Sequence, residues 1–287
     1  LLVFCFLVYA QRITPMSSDI LLRFVHITDT HISDDERYNI PGAPHTPVIG
    51  ARALVHQLRS LPFTPDFVLH TGDVIYDPVD SAYAAAKKIL NGIPYPVHYL
   101  PGNHDSVIGL QRHLLGIESP TEPYDYTFEV KGVQVICIDS NRPAEPPRGR
   151  VSEAQLAWLR AQADPHDPRP LVVAVHHNVL PIGVPWWDDF MRMENGADFH
   201  AALVPARARI RGVFHGHVHQ DADTYVDGIL YTSALSSWYQ IHAHPGQLET
   251  ENDRRVAPGY SVVTISKAGT FICRHRYMVD SSSLYLG

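Results

Sequence analysis

The sequence predicts an α/β fold in one domain, with two facing mixed β-sheets flanked by helices. Three observations lead there. Over roughly the first hundred residues, short apolar runs alternate with helically spaced segments, an order that implies parallel strands joined by helical crossovers. Further along, Lys131-Gly132, Asp227-Gly228 and Lys267-Ala268-Gly269 mark tight turns between strand-like runs, which adds antiparallel pairs. The chain has 287 residues, 45% hydrophobic and 18% charged, which suffices for a full core and is too apolar for a disordered chain.

Taken in order, residues 21–28 (LLRFVHIT) are short, apolar and β-branched, and predict a buried strand. Residues 48–61 place Leu54, Val55 and Leu58 on one side of a helix. A second strand spans 66–71, an Ala-rich helix 81–90, and a third strand 97–100, stopped by Pro101-Gly102. Residues 124–130 and 133–139 flank the Lys131-Gly132 turn. Ser152-Glu153-Ala154-Gln155 has the spacing of a capping box, in which the Ser and Gln side chains satisfy each other's backbone N–H, and opens a helix reaching Asp164. Residues 171–175 form another buried strand, and a further one, 210–214, follows a helical segment.

Residues 1–10 are all apolar. A spanning helix needs about 20 such residues, and no basic segment precedes the run as in a signal peptide. Met16-Ser17-Ser18-Asp19 makes a natural start just before the first strand. Residues 1–15 are therefore expected to lie outside the fold, as a leader or upstream segment, with the domain running over 16–287. No other membrane span is visible, so the expected location is the cytoplasm. Three scattered cysteines, Cys5, Cys137 and Cys273, make neither a disulfide framework nor a zinc-type pair, and the last two read as small buried hydrophobes. A net charge of -7 speaks against a nucleic-acid partner, which needs a basic face. A small anionic substrate remains compatible with it, because bound metal ions supply local positive charge. A homodimer is equally compatible.

The strand ends carry the functional signal. Residues 21–28 run into Asp29-Thr30-His31, 66–71 into Gly72-Asp73, and 97–100 into Gly102-Asn103-His104-Asp105. Residues 171–175 run into His176-His177, and 210–214 into His215-Gly216-His217-Val218-His219. Ligands of open α/β sheets bind beyond the carboxyl ends of strands, so five such ends converge on one site. The donors are carboxylates, amides and imidazoles without a thiolate, which suits Mn, Fe, Zn or Co. Seven donors are too many for one tetrahedral ion, and with one carboxylate shared they fit two ions about 3.5–4 Å apart. In Asp29-x-His31 and His217-x-His219, alternate residues of an extended segment point the same way.

In this order the blocks resemble the calcineurin-like metallophosphoesterase family, whose pattern runs D-x-H, GD, GNH(D/E), H and GHxH. The resemblance covers residues 24–219 and fills every ligand position. It implies a four-layer αββα sandwich with a dinuclear centre of divalent or mixed-valence transition metals (Fe, Mn, Zn or Co). It also implies that Asp29, His31, Asp73 and His219 hold the first metal. Asp73 bridges, and Asn103, His176 and His217 complete the second. His104 meets the substrate phosphate, supported by Asp105. The compact size, the D-x-H start and the His176-His177 pair are similar to class III cyclic-nucleotide phosphodiesterases, whose relatives include glycerophosphodiesterases. One alternative stays open. Gly72-Asp73-Val74-Ile75-Tyr76 also matches the GDxxY block of purple acid phosphatases, which would make Tyr76 a ligand, although His31 competes for that place. Otherwise Tyr76 is an aromatic at the start of a helix.

Asp29 and Asp73 could each be a helix N-cap, which explains either alone but not the series. His177 and His215 are expected to support the ligands or the core, and His26, His45, His70 and His98 to be structural, with His70 neutral and hydrogen-bonded inside its strand. Two aromatic stretches remain: Trp186, Trp187, Phe190, Met191 and Met193, and Trp238, Tyr239, His242 and His244. They form either loops packed on the core or the rim of a substrate site. The expected activity is hydrolysis of a small phosphoester by a metal-bridging hydroxide, with a diester such as 3',5'-cyclic AMP as the leading substrate. Rivals are a phosphomonoesterase, a nuclease, and a metal-free scaffold, which would be expected to lose ligands.

Overall fold

The computed structural model of the protein describes residues 19–142 and 145–279. The segment 1–15, with Cys5, and the start at Met16 lie outside them. β1 (Ile20–Ile27), β2 (Phe67–His70) and β3 (Val97–Tyr99) run parallel, linked by α1 (Pro47–Arg59) and α2 (Asp80–Leu90). β10 (Gly259–Ser266) and β11 (Thr270–Arg276) complete this sheet antiparallel, in the order β11-β10-β1-β2-β3. The second sheet has the order β4-β5-β6-β7-β9-β8. Its members are β4 (Tyr126–Val130), β5 (Val133–Ile138), β6 (Leu171–Val175), β7 (Ile210–His215), β8 (Asp223–Val226) and β9 (Ile229–Ser233). β5, β6, β7 and β9 are parallel, while hairpins add β4 and β8. Both sheets are mixed, as the sequence predicts.

The central strands, such as β2, β5 and β6, are buried on both faces, and side-chain alternation sends each of their residues to one of two apolar layers. Phe24, Phe67, Leu69, Val135, Cys137, Val172, Phe214 and Val263 meet between the sheets. There the Phe24 and Phe67 rings stack with centroids 4.9 Å apart. Val25, Ile27 and Val68 face the other way, onto Leu54 and Leu58 of α1 and Ala82 and Ala86 of α2. Ile136, Val173 and Val175 likewise face α4 (Glu153–Gln162) and α6 (Gly196–Leu203) through Leu156, Leu159 and Phe199. The result is the four-layer αββα arrangement. Burying each Leu, Val or Phe contributes about 1.5–3 kcal/mol, and both faces of each central strand contribute at once.

Local signals fix several ends. Ser152 and Gln155 form the reciprocal capping box at the start of α4. Lys131 and Asp227 take positive φ before Gly132 and Gly228, as two-residue hairpin turns require. The Trp186-Trp187 stretch, expected as a loop, forms a short helix, α5 (Pro185–Phe190), with Pro at its first position. Between β3 and β4 the chain also makes a short turn, α3 (Val107–Gly109), followed by a π-turn over Leu110–Leu114. Cys273 corrects the sequence expectation, because it is exposed while Cys137 is buried. β11 is an edge strand whose Ile272 leans on the inter-sheet core, so Cys273 faces outward. Among the described residues no helix is long and apolar enough to cross a membrane.

Candidate metal centre

The carboxyl ends of β1, β2, β3, β6 and β7 lie at one edge of the sandwich, and the polar blocks that follow them meet there. Backbone bonds join the first two blocks: Asp29 N donates to Gly72 O (3.0 Å), His31 N to Asp73 O (2.9 Å) and Ile32 N to Val74 O (2.9 Å). Gly216 N donates to His176 O at 3.0 Å and so ties the two blocks of the other sheet. Across the sheets, His217 N donates to Asp29 Oδ2 at 3.0 Å.

Seven predicted side chains come together, in two groups that share one oxygen. His31 Nε2 lies 3.8 Å from Asp29 Oδ1 and 3.6 Å from Asp73 Oδ2, and 2.9 Å from His219 Nε2. His219 Nε2 is 3.4 Å from Asp29 Oδ1. On the other side, His176 Nε2 is 3.4 Å from Asp73 Oδ2 and 3.2 Å from Asn103 Oδ1, with the His217 ring centroid 5.0 Å from that of His176. Asp73 Oδ2 therefore faces both groups.

Three of the histidines have their tautomers fixed by main-chain carbonyls. His176 Nδ1 donates to Thr71 O (2.7 Å), His219 Nδ1 to Tyr239 O (2.9 Å) and His217 Nε2 to Met191 O (3.1 Å). In each ring, once neutral, the other nitrogen presents a lone pair, the arrangement that orients a metal-ligating imidazole. Electrostatics agree. Burial opposes charge on Asp29 and Asp73, yet His219 holds the former, and His176 and His104 the latter, below the usual carboxylate range. Burial pushes His217 down to about 3 and His31 well below its ordinary value, which keeps both neutral. For His176 burial acts the same way, but Asp73 beside it wins and raises it to about 9. A pair of buried carboxylates ringed by lone-pair donors is a set that calls for cations, and it fits a metal centre.

Backbone strain marks the same residues. Among the described residues seven non-glycine residues have positive φ, and apart from the two hairpin residues Lys131 and Asp227 they are Asp29 (52°), His31 (44°), Asp73 (53°), His217 (72°) and His219 (46°). Such conformations cost about 1–3 kcal/mol each and cluster at functional sites. A hydrogen-bond chain that the sequence did not reveal helps to hold them. Gly72 N donates to His70 Nδ1 (3.3 Å), His70 Nε2 to Thr30 Oγ1 (3.0 Å), and Thr30 Oγ1 to Val74 O (2.8 Å). Ser236 Oγ donates to the Asp29 carbonyl at 2.7 Å. His70 is thus neutral and hydrogen-bonded within its strand, as predicted, and burial lowers it to about 4. His26, His98 and His215 are likewise held low by burial.

His104 borders the cluster, its ring centroid 4.7 Å from that of His31, and its Nδ1 donates to Tyr76 O at 2.8 Å. The expected support from Asp105 is indirect. Its carboxylate accepts from Gly102 N (2.9 Å), Val74 N (3.1 Å) and Ile75 N (3.3 Å) rather than from the His104 ring. It braces the segment whose next carbonyl, that of Tyr76, holds the imidazole. Tyr76 lies in the loop before α2, not at a helix start, and its ring packs 5.1 Å from His104 and 4.7 Å from Tyr38. His177 is bonded through both ring nitrogens, to Ser140 Oγ (2.8 Å) and Pro147 O (3.1 Å), which suits support rather than ligation.

The aromatic stretches divide between the two readings. Trp187, Met193 and Trp238 are wholly buried packing residues. Trp238 Nε1 donates to Asn39 Oδ1 and His45 O. Trp186, Phe190, Met191 and Tyr239 do line a cavity of about 520 Å³, together with Ile241 and Leu248. Its inner wall touches the cluster, since the carbonyls of Met191 and Tyr239 accept from His217 and His219. His242 instead borders an adjoining polar depression with Arg254 and Arg255, which meets the cavity at Thr250. Of the acidic residues that follow His176, two are engaged in local bonds. Asp188 accepts from Ile182 N and Gly183 N, and Glu194 pairs with Arg142 and Arg150.

Comparisons with known proteins agree with this geometry. The sequence model of a family described as Calcineurin-like phosphoesterase matches residues 22–221. The chain is 23% identical over 273 residues to the 3',5'-cyclic adenosine monophosphate phosphodiesterase CpdA of Escherichia coli K12, covering 93% of this chain and 94% of that protein. It is 24% identical over 257 residues to a 3',5'-cyclic-nucleotide phosphodiesterase of Nostoc sp., covering 89% and 92%. A dimetal phosphatase from Danio rerio shares the fold with a TM-score of 0.67 at 17% identity, over 91% of this chain and all of the other.

Proposed function

The chain belongs to the calcineurin-like phosphoesterase family, and from that premise we propose that it is a phosphodiesterase with a dinuclear metal centre. The observation that carries this is the pair of donor groups meeting at Asp73 Oδ2. Asp29, His31, Asp73 and His219 would hold one ion. Asp73, Asn103, His176 and His217 would hold the other, with Asp73 between them. Bound ions of this kind neutralise phosphoryl oxygens and acidify a coordinated water.

The protein's own groups do the rest. The carbonyls of Thr71, Met191 and Tyr239 keep three imidazoles aimed inward, so the donor set needs no rearrangement to act. His104 is anchored by Nδ1, so a second proton on Nε2, carried by the imidazolium, would be the one passed to the leaving oxygen. The apolar cavity beside His217 and His219 supports the choice of a diester, because a second organic group gains from burial while a monoester dianion does not. The names of the relatives make 3',5'-cyclic AMP the first natural diester to test.

The test is a panel on the Mn²⁺-loaded protein: bis-p-nitrophenyl phosphate, p-nitrophenyl phosphate and cyclic AMP. The expected result is a higher kcat/KM for the diesters. A clear preference for the monoester at neutral pH would leave the metal centre standing and refute the diesterase assignment.

A further inference from the structure

Large apolar side chains exposed to water need a reason when they gather at one place. Phe190 is 58% exposed and Leu248 77%, and both belong to the cavity beside the metal centre. Phe190 ends α5, while Leu248 lies in a polar run, His244-Pro245-Gly246-Gln247-Leu248-Glu249, where local sequence gives it no packing role. Between them Trp186, Met191, Tyr239 and Ile241 continue the apolar surface inward, to the two carbonyls that orient His217 and His219. At about 520 Å³ the cavity falls in the range of small-ligand sites.

The lining is poor in groups that could read a nucleobase. Its polar side-chain groups are Asp189, Thr250, the Tyr239 phenol and the single N–H of the Trp186 indole, with neither an amide side chain nor a guanidinium among them. A base with several hydrogen-bonding atoms would leave some unpaired there, at about 1–3 kcal/mol for each buried one. Asp189, the one charged lining residue, also disfavours a second phosphate.

We infer that this cavity seats an apolar ester group of the substrate, so that the favoured diesters carry an alkyl or aryl group rather than a nucleoside. This rests on the phosphodiesterase reading and narrows it. Phe190 and Leu248 are the specificity-determining residues at the mouth.

The test uses the metal-loaded full chain and a series of p-nitrophenyl phosphodiesters, with methyl, butyl and hexyl second groups, below the concentrations at which they aggregate. p-Nitrophenyl thymidine 5'-phosphate is the nucleoside arm. Transfer of a methylene from water to an apolar site is worth about fourfold in affinity, so kcat/KM should climb by up to about fourfold per methylene until the cavity is full. The hexyl ester should exceed the nucleoside ester. In Phe190→Ser/Leu248→Ser the hexyl-to-methyl ratio should collapse at least tenfold, and Phe190→Leu/Leu248→Met should restore most of it. Both positions are solvent-exposed, so these variants keep the fold. Turnover of every diester with a flat series, a nucleoside ester ahead of the hexyl ester, or a ratio unchanged in the serine variant would each overturn the inference and leave the diesterase reading intact. No turnover of any diester by fully metallated protein would sink both.

Discussion

His104 and His176 are neighbours in the cluster with different tasks, and their hydrogen bonds tell them apart. His104 is anchored through Nδ1 to Tyr76 O, and although its ring nitrogen lies within 4.8 Å of the His31 and Asp73 ligand atoms, we assign it to the substrate rather than to a metal. His104→Ala should keep two metals per chain and lose rate by ~10²–10⁴, the usual contribution of a general acid. Metal analysis beside steady-state kinetics decides it, and loss of a metal would make His104 a ligand. His176 gives a pH prediction. Asp73 overcomes burial and raises this imidazole to about 9, so in the protein alone it carries a proton at neutral pH. A metal ion needs that lone pair and must displace the proton. Metal affinity should therefore rise with pH until about 9 and then level off. Titration calorimetry in buffers of different ionisation enthalpy should show more proton release at pH 7 than at pH 10, where only a metal-bound water still releases one. Equal release at both would contradict the assignment. At this scale the donors were legible, because carboxylate, amide and imidazole are visible as letters. Their anchors were not, since the carbonyls of Thr71, Met191, Tyr239 and Tyr76 are the same in every residue.

Strand ends are the elements that build the site, and the glycines beyond them set how closely two ends can approach. A Cβ on Gly102 would lie 2.2 Å from Asp73 Oδ1 and 2.4 Å from Asp73 N, with His176 Cε1 at 2.7 Å. The block after β3 thus reaches the shared carboxylate only because position 102 has no side chain. Gly102→Ala should leave far-UV circular dichroism near that of the parent, because the strands themselves are untouched. It should reduce metal content by at least one ion per chain. Full metal occupancy would show that the close approach does not matter. The short continuous apolar runs of the strands and the Ser152–Gln155 capping box were readable from sequence, since each signal is local. The short helix α5 was not. Its six residues are held by burial of Trp186 and Trp187 against Val218 and Ile241, which lie far along the chain.

On the scale of the whole molecule, the cluster joins the two sheets. Asp29, His31, Asp73 and Asn103 follow strands of one sheet, and His176, His217 and His219 follow strands of the other. Metal binding should then act as a clamp across the sandwich. At a free concentration of 100 times Kd an ion bound only by the folded state adds about 2.7 kcal/mol. Chelation should lower Tm by several degrees, given roughly 2–4 °C per kcal/mol for domains approaching this size. Differential scanning calorimetry with and without EDTA measures this, and an unchanged Tm would mean that the sheets hold together without the ions. The inter-sheet layer that includes Phe24, Phe67 and Phe214 supplies the metal-independent part of that stability.

The sequence by itself determined the kind of fold and the chemistry. Alternating apolar runs specify strands, five polar blocks at their ends specify a hard-donor site, and the order of those blocks specifies the family. Such information is local in the chain, or depends only on the rule that parallel strands end on one side. Tertiary structure alone decided which oxygen faces both donor groups, that Asp105 accepts from backbone N–H groups rather than from the His104 ring, that Trp187 and Trp238 are pillars rather than rim, and that Leu248 reaches the cavity. Each of these depends on distances between residues tens to hundreds of positions apart, such as His31 and His219, whose separation of 2.9 Å no local pattern encodes.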